Sequence, residues 1–145
     1  MIAWKTGGPA SAKEKSRLPA EMGGRSARAL RILVVEDHRE TRRTLSRLLS
    51  HFGYEISTAD GARSALEAFG KGDFDVVLSD IALPDGSGYD VIAEAKRRRK
   101  VKGVALSGFG SAEDVRRGKE AGFDFHLTKP VDFYELRCVL DQAAA

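Results

Sequence analysis

From residue 30 to residue 143, short apolar runs alternate with stretches in which apolar residues recur at helical spacing. The runs are continuous and rich in β-branched residues, which is typical of strands buried on both faces of a sheet. They predict five strands, at residues 31–35, 54–58, 75–79, 101–106 and 123–128.

Four of the predicted strands are followed by an amphipathic stretch with apolar residues at i, i+3, i+4 and i+7 or close to that pattern, and the helix after the third strand is predicted from its N-cap pair. The stretch after the fourth strand has the thinnest apolar face. The predicted buried faces are Leu45, Leu48, Leu49 and Phe52, then Ala62, Ala65, Leu66 and Phe69, then Ala112, Val115 and Ala121, and finally Leu136, Val139, Leu140 and Ala143. The predicted N-cap pairs are Ser87 with Asp90, Ser111 with Asp114, and Asp132 with Glu135.

Five strands, each followed by a helix, predict an α/β fold with a five-stranded parallel sheet and helices on both faces. In such sheets, function is built in the loops beyond the carboxyl ends of the strands. The chemistry is therefore expected directly after Val35, Ser79, Leu106 and Thr128.

Length and composition fit one globular domain of 145 residues, 42% hydrophobic and 31% charged. A single cysteine excludes an internal disulfide framework and a cysteine-rich zinc site, and it fits a reducing cytoplasm. No stretch reaches the ~18 apolar residues of a membrane span, and the first residues lack the apolar core of a secretory signal. We expect a cytoplasmic protein without membrane contact.

The positive net charge is concentrated in residues 1–29, which carry six basic and two acidic side chains, or +4. The remaining residues carry 18 basic and 19 acidic side chains, or −1, so we expect no direct nucleic-acid binding by the folded part. The glycines and prolines of residues 1–29 and their lack of apolar periodicity predict a flexible basic linker or tail. A remnant added for expression and a targeting peptide are the alternatives, and residues 30–143 are the predicted domain.

Three carboxylates follow two of the predicted strands. Glu36 and Asp37 come after the first strand and Asp80 after the third. Carboxylates that converge on one sheet edge repel one another unless a cation neutralises them, and oxygen-only ligands suit Mg²⁺. Ser107 follows the fourth strand and Lys129 the fifth, so a hydroxyl and an ammonium join the acids, as groups that bind phosphoryl oxygens do.

Four motifs in this order resemble the receiver domain of bacterial two-component response regulators. They are residues 34–37 (VVED), 79–86 (SDIALPDG), 105–108 (ALSG) and 128–130 (TKP). The resemblance covers about four-fifths of the chain and implies the flavodoxin-like (βα)5 receiver fold.

The resemblance also implies a role for each matching position. Asp80 would accept a phosphoryl group from a histidine kinase or a histidine phosphotransfer protein. Glu36, Asp37, Asp80 and the backbone carbonyl of Ala82 would hold Mg²⁺. Ser107 would bind the phosphoryl group, Lys129 would pair with it, and the peptide between Lys129 and Pro130 would be cis.

The switch position departs from the commonest pattern of the family. Three residues before Lys129 the family usually has Tyr or Phe, whereas this chain has His126. Histidine there resembles the receivers at the end of hybrid histidine kinases, and it could titrate near neutral pH or have no signalling role. The expected readout is a shift between two arrangements of the fourth helix and fifth strand, in which Ser107 and His126 take part.

Three other functions are the alternatives to a phosphoacceptor domain. An aspartate-nucleophile phosphatase would need an acid where Ala82 stands, so we expect a phosphoacceptor domain rather than an enzyme. A nucleotide- or flavin-binding module would need a glycine-rich turn where residues 38–40 stand. A phosphorylation-independent protein-binding module stays possible. Within the family we favour a stand-alone regulator over the terminal receiver of a hybrid kinase; the downstream protein partner is unknown.

Overall fold

The structure is a computed structural model that describes residues 28–108 and 110–144. Five parallel strands form one sheet in the order β2-β1-β3-β4-β5. Their bounds are β1 Arg31–Val35, β2 Glu55–Ala59, β3 Val76–Asp80, β4 Lys102–Ser107 and β5 Phe125–Thr128. Two further strands of two residues each, Ala82–Leu83 and Gly86–Ser87, pair antiparallel just after β3.

Five helices alternate with the strands and cover both faces of the sheet, which confirms the predicted fold class. Their bounds are α1 Arg39–His51, α2 Ala62–Lys71, α3 Gly88–Arg98, α4 Ala112–Ala121 and α5 Phe133–Ala144. Within the described ranges, no helix is long and apolar enough to cross a membrane. The N-cap predictions for α3, α4 and α5 are confirmed, since Ser87, Ser111 and Asp132 accept hydrogen bonds from the backbone N–H three residues on.

Two cores lie on opposite faces of the sheet, and β1 contributes to both. Ile32 and Val34 pack with α1 and α5, whereas Leu33 and Val35 pack with α2 and α3. Successive side chains of a strand point to opposite faces, so a strand covered on both sides must be apolar throughout. This is why the chain carries continuous apolar runs rather than alternating ones.

The strand bounds differ slightly from the prediction. The second, third and fourth strands begin and end one residue later, which makes Asp80 and Ser107 the last residues of their strands. The fifth begins two residues later, at Phe125, because Phe123 turns into the core and the Asp124 carboxylate accepts a hydrogen bond from Gly103 N at 2.8 Å. These shifts do not change the prediction that the functional residues lie at the carboxyl ends of the strands.

The predicted buried face of α1 is partly wrong. Leu45 and Leu49 are buried, but the side chains of Leu48 and Phe52 are 39% and 43% exposed. Phe52 forms the C-cap of α1, where its ring lies 5.2 Å from that of Phe133 and 4.3 Å below the guanidinium of Arg137. These two side chains therefore lie at the surface beside α5 rather than under the helix.

Helix α4 has an even thinner apolar face than the sequence predicted. Ala112 and Val115 are exposed, Ala121 is half-buried, and Gly118 is the one residue of this helix that is buried. Little apolar burial therefore holds α4 against the sheet.

Most of the basic side chains at residues 96–99, in the last turn and C-cap of α3, are engaged within the protein. Arg97 and Arg98 pair with Glu94, and Lys96 pairs with the Asp124 carboxylate at 2.8 Å. Arg99 donates to the carbonyls of Phe69 and Gly72. These contacts tie the end of α3 to α2 and to the loop before β5.

Candidate functional site

Three carboxylates meet at the carboxyl edge of the sheet. Glu36 and Asp37 follow β1, Asp80 ends β3, and the two strands are paired neighbours with Val35 opposite Ser79. One carboxylate oxygen from each acid lies within 4.8 Å of the other two. Glu36 is 1% exposed and Asp80 7% exposed, whereas Asp37 is open to solvent.

The turn that carries the first two acids is fixed by hydrogen bonds. Glu36 N donates to Ala59 O at 3.0 Å, and the Glu36 carboxylate accepts from His38 N at 3.0 Å. Arg42, in the first turn of α1, donates from Nη1 to the carbonyls of Glu36 at 2.9 Å and of Asp37 at 3.3 Å. The acids are therefore held by their own backbone as well as by the sheet.

Two of these supporting residues were not predicted. His38 caps α1 by accepting from Thr41 N at its Nδ1. Arg42 carries no sequence signal, because an arginine on an exposed helix face is common and only the fold brings it over the turn. A histidine N-cap is equally hard to find, since Ser, Thr, Asp and Asn dominate that position.

Lys129 bridges the two buried acids. Its Nζ lies 2.9 Å from Glu36 Oε1 and 2.9 Å from Asp80 Oδ2. Burial disfavours the charge of the ammonium, but the hydrogen bonds and charges of Glu36 and Asp80 outweigh that effect, so the pKa of Lys129 lies above its ordinary value. The lysine is therefore charged at every pH near neutrality. The following peptide, to Pro130, is cis, as the resemblance implied.

Asp80 is pressed against the start of α3. The Ser79 hydroxyl donates to Asp80 O at 2.8 Å, and Gly88 N donates to Ile81 O at 2.8 Å. A Cβ at Gly88 would lie 2.4 Å from Asp80 O, so only glycine fits at this contact. The next residues, including Ala82, form the short antiparallel strand pair at the same edge.

The remaining two predicted site residues contact each other. Ser107, which is 7% exposed, ends β4, and His126 lies on β5 with Ala105 as its register partner. Ser107 Oγ is 3.0 Å from His126 Nε2, and Ser107 O accepts from Lys129 N at 2.8 Å. The sequence pointed to both residues but not to a bond between them.

The donor set fits a hard divalent cation. Three carboxylates and one ammonium leave two negative charges in excess at a partly buried edge, and all candidate ligand atoms are oxygens. Mg²⁺ prefers such ligands and retains several waters, which suits a cluster with one exposed and two buried acids. Within the described ranges, this is the one group of three potential metal-ligating side chains.

Residues 32–141 match the family described as the response regulator receiver domain. The chain belongs to that family. The transcriptional regulatory protein TcrA of Mycobacterium tuberculosis is 36% identical over 121 residues, which cover 83% of this chain and 47% of that protein. The sensory/regulatory protein RpfC of Xanthomonas campestris is 33% identical over 109 residues, which cover 72% of this chain and 15% of that protein.

The solved structures agree with this assignment. The chemotaxis protein CheY4 of Vibrio cholerae superimposes with a TM-score of 0.76 at 28% identity, covering 80% of this chain and 99% of that one. A CheY-like receiver domain from Methylobacillus flagellatus gives a TM-score of 0.70 at 29% identity. The chain spans about half the length of the curated transcriptional regulators that it matches and a smaller share of RpfC.

Proposed function

We propose that this receiver domain takes a phosphoryl group on Asp80 and signals by the resulting change of conformation. One observation supports this above all: a buried carboxylate at a strand end lies within reach of two further acids and of an ammonium held at 2.9 Å. Phosphoryl transfer depends mainly on positioning and on charge stabilisation, and these side chains supply both.

The metal part of the proposal assigns Mg²⁺ to Glu36, Asp37, Asp80 and the carbonyl of Ala82. When bound, Mg²⁺ supplies positive charge that offsets the charge of the phosphoryl oxygens. The exposure of Asp37 beside two buried acids supports an entry path from solvent.

The protein side chains have separate tasks in the transfer. A carboxylate oxygen of Asp80 forms the new bond to phosphorus while the bond from phosphorus to the donor nitrogen breaks, and the donor imidazole keeps that electron pair. Lys129 already lies 2.9 Å from Asp80 Oδ2, so its ammonium is placed to hold an equatorial phosphoryl oxygen. The Ser107 hydroxyl would donate a hydrogen bond to another phosphoryl oxygen.

The proposed phosphodonor is a histidine kinase or a histidine phosphotransfer protein. An apolar groove of about 330 Å³ runs beside Lys129, between α1 and the start of α5, and is lined by the exposed Leu48 together with Val131 and Phe133. We assign the donor protein to this groove because its lining includes Lys129, whose ammonium lies 2.9 Å from Asp80 Oδ2.

The place of the domain in a larger system stays a prediction. The relatives include transcriptional regulators and the sensory/regulatory protein RpfC, and the chain covers only part of each. We keep the stand-alone regulator as the favoured proposal, with the hybrid-kinase receiver as the alternative. The absence of direct nucleic-acid contact likewise remains a proposal, supported by the net charge of −1 outside residues 1–29. Cytoplasmic location also remains a proposal, for which the single cysteine is the support.

The test is intact mass after incubation with acetyl phosphate, with and without Mg²⁺ and with rapid acid quenching. We expect one added phosphoryl group that requires Mg²⁺. Asp80→Asn should abolish the adduct, while Asp90→Asn, which removes an exposed acid at the start of α3, should leave it unchanged. An adduct that persists in Asp80→Asn, or none in the wild type under any of these conditions, would contradict the proposal.

A further inference from the structure

The hydroxyl that is assigned to the phosphoryl group already has a titratable neighbour. Ser107 Oγ lies 3.0 Å from Nε2 of His126, on the adjacent strand. Strand pairing fixes this contact, because β4 and β5 are in register with Ser107 opposite Thr128 and Ala105 opposite His126. The imidazole and the hydroxyl thus lie on neighbouring strands, two register positions apart.

The direction of this hydrogen bond decides what Ser107 can do. A serine hydroxyl has one proton to donate, and phosphoryl oxygens only accept. Ser107 can therefore bind a phosphoryl group only while its proton is not donated to His126. When Nε2 carries a proton, the ring donates to Oγ and the hydroxyl proton is left for the phosphoryl group.

Protonation of the His126 ring leaves only one possible direction for the hydrogen bond with Ser107. A neutral imidazole can accept at Nε2 or donate from it, depending on its tautomer. The imidazolium can only donate, since both of its nitrogens carry protons. Acidification can therefore only increase the fraction of molecules in which the Ser107 proton is available.

We propose that His126 is a positioning residue that acts through Ser107, so that the Asp80 site holds a phosphoryl group more strongly when His126 is protonated. This inference rests on the proposed function and adds a proton-linked control to it. Histidine is the side chain whose charge ordinarily changes between about pH 5 and pH 8, so the control would operate near neutrality. The Tyr or Phe that the family usually has at this position cannot titrate there.

The charges around His126 have opposing effects on the imidazolium. From α4, Lys119 lines a small cavity of about 60 Å³ with His126 and disfavours a second positive charge. Asp124, in the loop before β5, lines the same cavity, and its negative charge favours the imidazolium form of His126. Its carboxylate also accepts hydrogen bonds from Lys96 Nζ and Gly103 N at 2.8 Å each.

Helix α3 and the far side of α4 add two further groups. The guanidinium of Arg117, on α4, lies 4.9 Å from the ring centroid of Tyr89, on α3. A Cβ at Gly118 would lie 3.8 Å from both Tyr89 Cε1 and His126 Nδ1, so the ring faces α4 at this glycine. On the side of Ser107, Lys129 N donates to Ser107 O, and the Lys129 ammonium is paired with Glu36 and Asp80. A phosphoryl group adds about −1.5 to −2 charge near Ser107 and favours the imidazolium.

The experiment measures the affinity for beryllofluoride, a stable phosphoryl mimic, by calorimetry with saturating Mg²⁺ at about pH 6 and about pH 8. For each variant we take the ratio of the affinity at about pH 6 to the affinity at about pH 8. His126→Gln keeps a side-chain amide in place of Nε2 but does not titrate, so its ratio reports the pH dependence of the probe alone. We expect the wild-type ratio to exceed that of His126→Gln about fivefold, the size of effect expected of one hydrogen bond. Ser107→Ala tests the route, because it keeps the histidine and removes the hydroxyl.

A second readout needs no phosphoryl mimic. Long-range ¹H–¹⁵N spectra of the full chain report which ring nitrogen of His126 carries the proton at each pH. We expect a population with the proton on Nδ1 at high pH, in which Nε2 accepts from Ser107. Beryllofluoride should shift the titration of His126 to higher pH, since linkage is reciprocal.

The outcomes separate the inference from the proposed function. Equal ratios in the wild type and His126→Gln, or a pH dependence that persists undiminished in Ser107→Ala, would overturn the role of His126 while phosphoryl binding stands. A neutral ring protonated only at Nε2 would do the same. Absence of beryllofluoride binding in the wild type, with no adduct from acetyl phosphate, would contradict the proposed function and the inference with it.

Discussion

At the scale of single residues, Asp37 separates metal binding from folding. Its side chain is exposed, whereas Glu36 and Asp80 are buried against Lys129. Asp37→Asn should therefore leave the fold intact and sharply weaken Mg²⁺ binding, since it removes one of three charged ligands. Calorimetric titration with Mg²⁺ measures this, with Asp90→Asn as the matched exposed acid. Unchanged affinity in Asp37→Asn would exclude the proposed metal site.

Lys129 has a structural role as well as the proposed chemical one. Lys129→Met leaves two buried carboxylates without their ammonium, so we expect a loss of about 1–2 kcal/mol in the free energy of unfolding at pH 7. Fully buried pairs cost roughly 3–5 kcal/mol when broken, and the lysine side chain is 28% exposed. Urea unfolding measures the loss, with the exposed Lys100→Met as control.

The pH dependence of this variant has a definite sign. Because the pKa of Lys129 is raised in the folded protein, its contribution is fully present below about pH 10 and is lost only as the pH rises further. Added Mg²⁺ should stabilise Lys129→Met more than the wild type. A loss that is independent of pH and Mg²⁺ would indicate packing instead of charge.

Single residues also mark where sequence reasoning stops. The acids, Ser107 and Lys129 could be selected because each follows an apolar run, and parallel strands end at a common edge. The contact of Ser107 with His126 could not, since it depends on the register between β4 and β5. The pairing of Arg42 with the carbonyls of Glu36 and Asp37 depends on where α1 starts relative to that edge.

At the scale of elements, helical periodicity predicted where helices form but not which of their apolar side chains are buried. Leu48 and Phe52 follow the helical spacing of Leu45 and Leu49, yet they remain exposed beside α5. The runs of β1 and β4 were located to within one residue because burial on both faces leaves an apolar signal at nearly every position.

The junction between β3 and α3 supports a prediction at this scale. Gly88→Ala places a Cβ 2.4 Å from Asp80 O and 3.1 Å from Ile81 Cα, both backbone atoms that cannot turn aside. We expect a loss of roughly 1–3 kcal/mol or more and reduced phosphoryl uptake, because Asp80 is displaced. Gly70→Ala is the matched control in α2. Its Cβ would lie 3.7 Å from Arg98 Nη1, an ordinary contact, so it should stabilise by about 0.5 kcal/mol. Urea unfolding of both variants compares them, and equal stabilities would refute the close packing.

At the scale of the whole molecule, the two cores and the carboxyl edge belong to the described residues from 28 onward. Residues 1–27 lie outside them, so the predicted division into a tail at 1–29 and a domain at 30–143 remains a prediction. The match to the receiver family over residues 32–141 lies within the predicted domain.

Deleting residues 1–27 tests that division. If this segment adds no buried surface, the shortened chain should keep the urea midpoint and the denaturant slope of the full chain, since the slope scales with the surface exposed on unfolding. The deletion removes five basic and two acidic side chains, which lowers the net charge from +3 to zero. Solubility should therefore fall near neutral pH, and the comparison is best made at low protein concentration. Phosphoryl uptake from acetyl phosphate should be unchanged, because all proposed site residues are retained. A smaller slope together with a lower midpoint would mean that residues 1–27 pack on the domain, and the boundary at residue 30 would then be wrong.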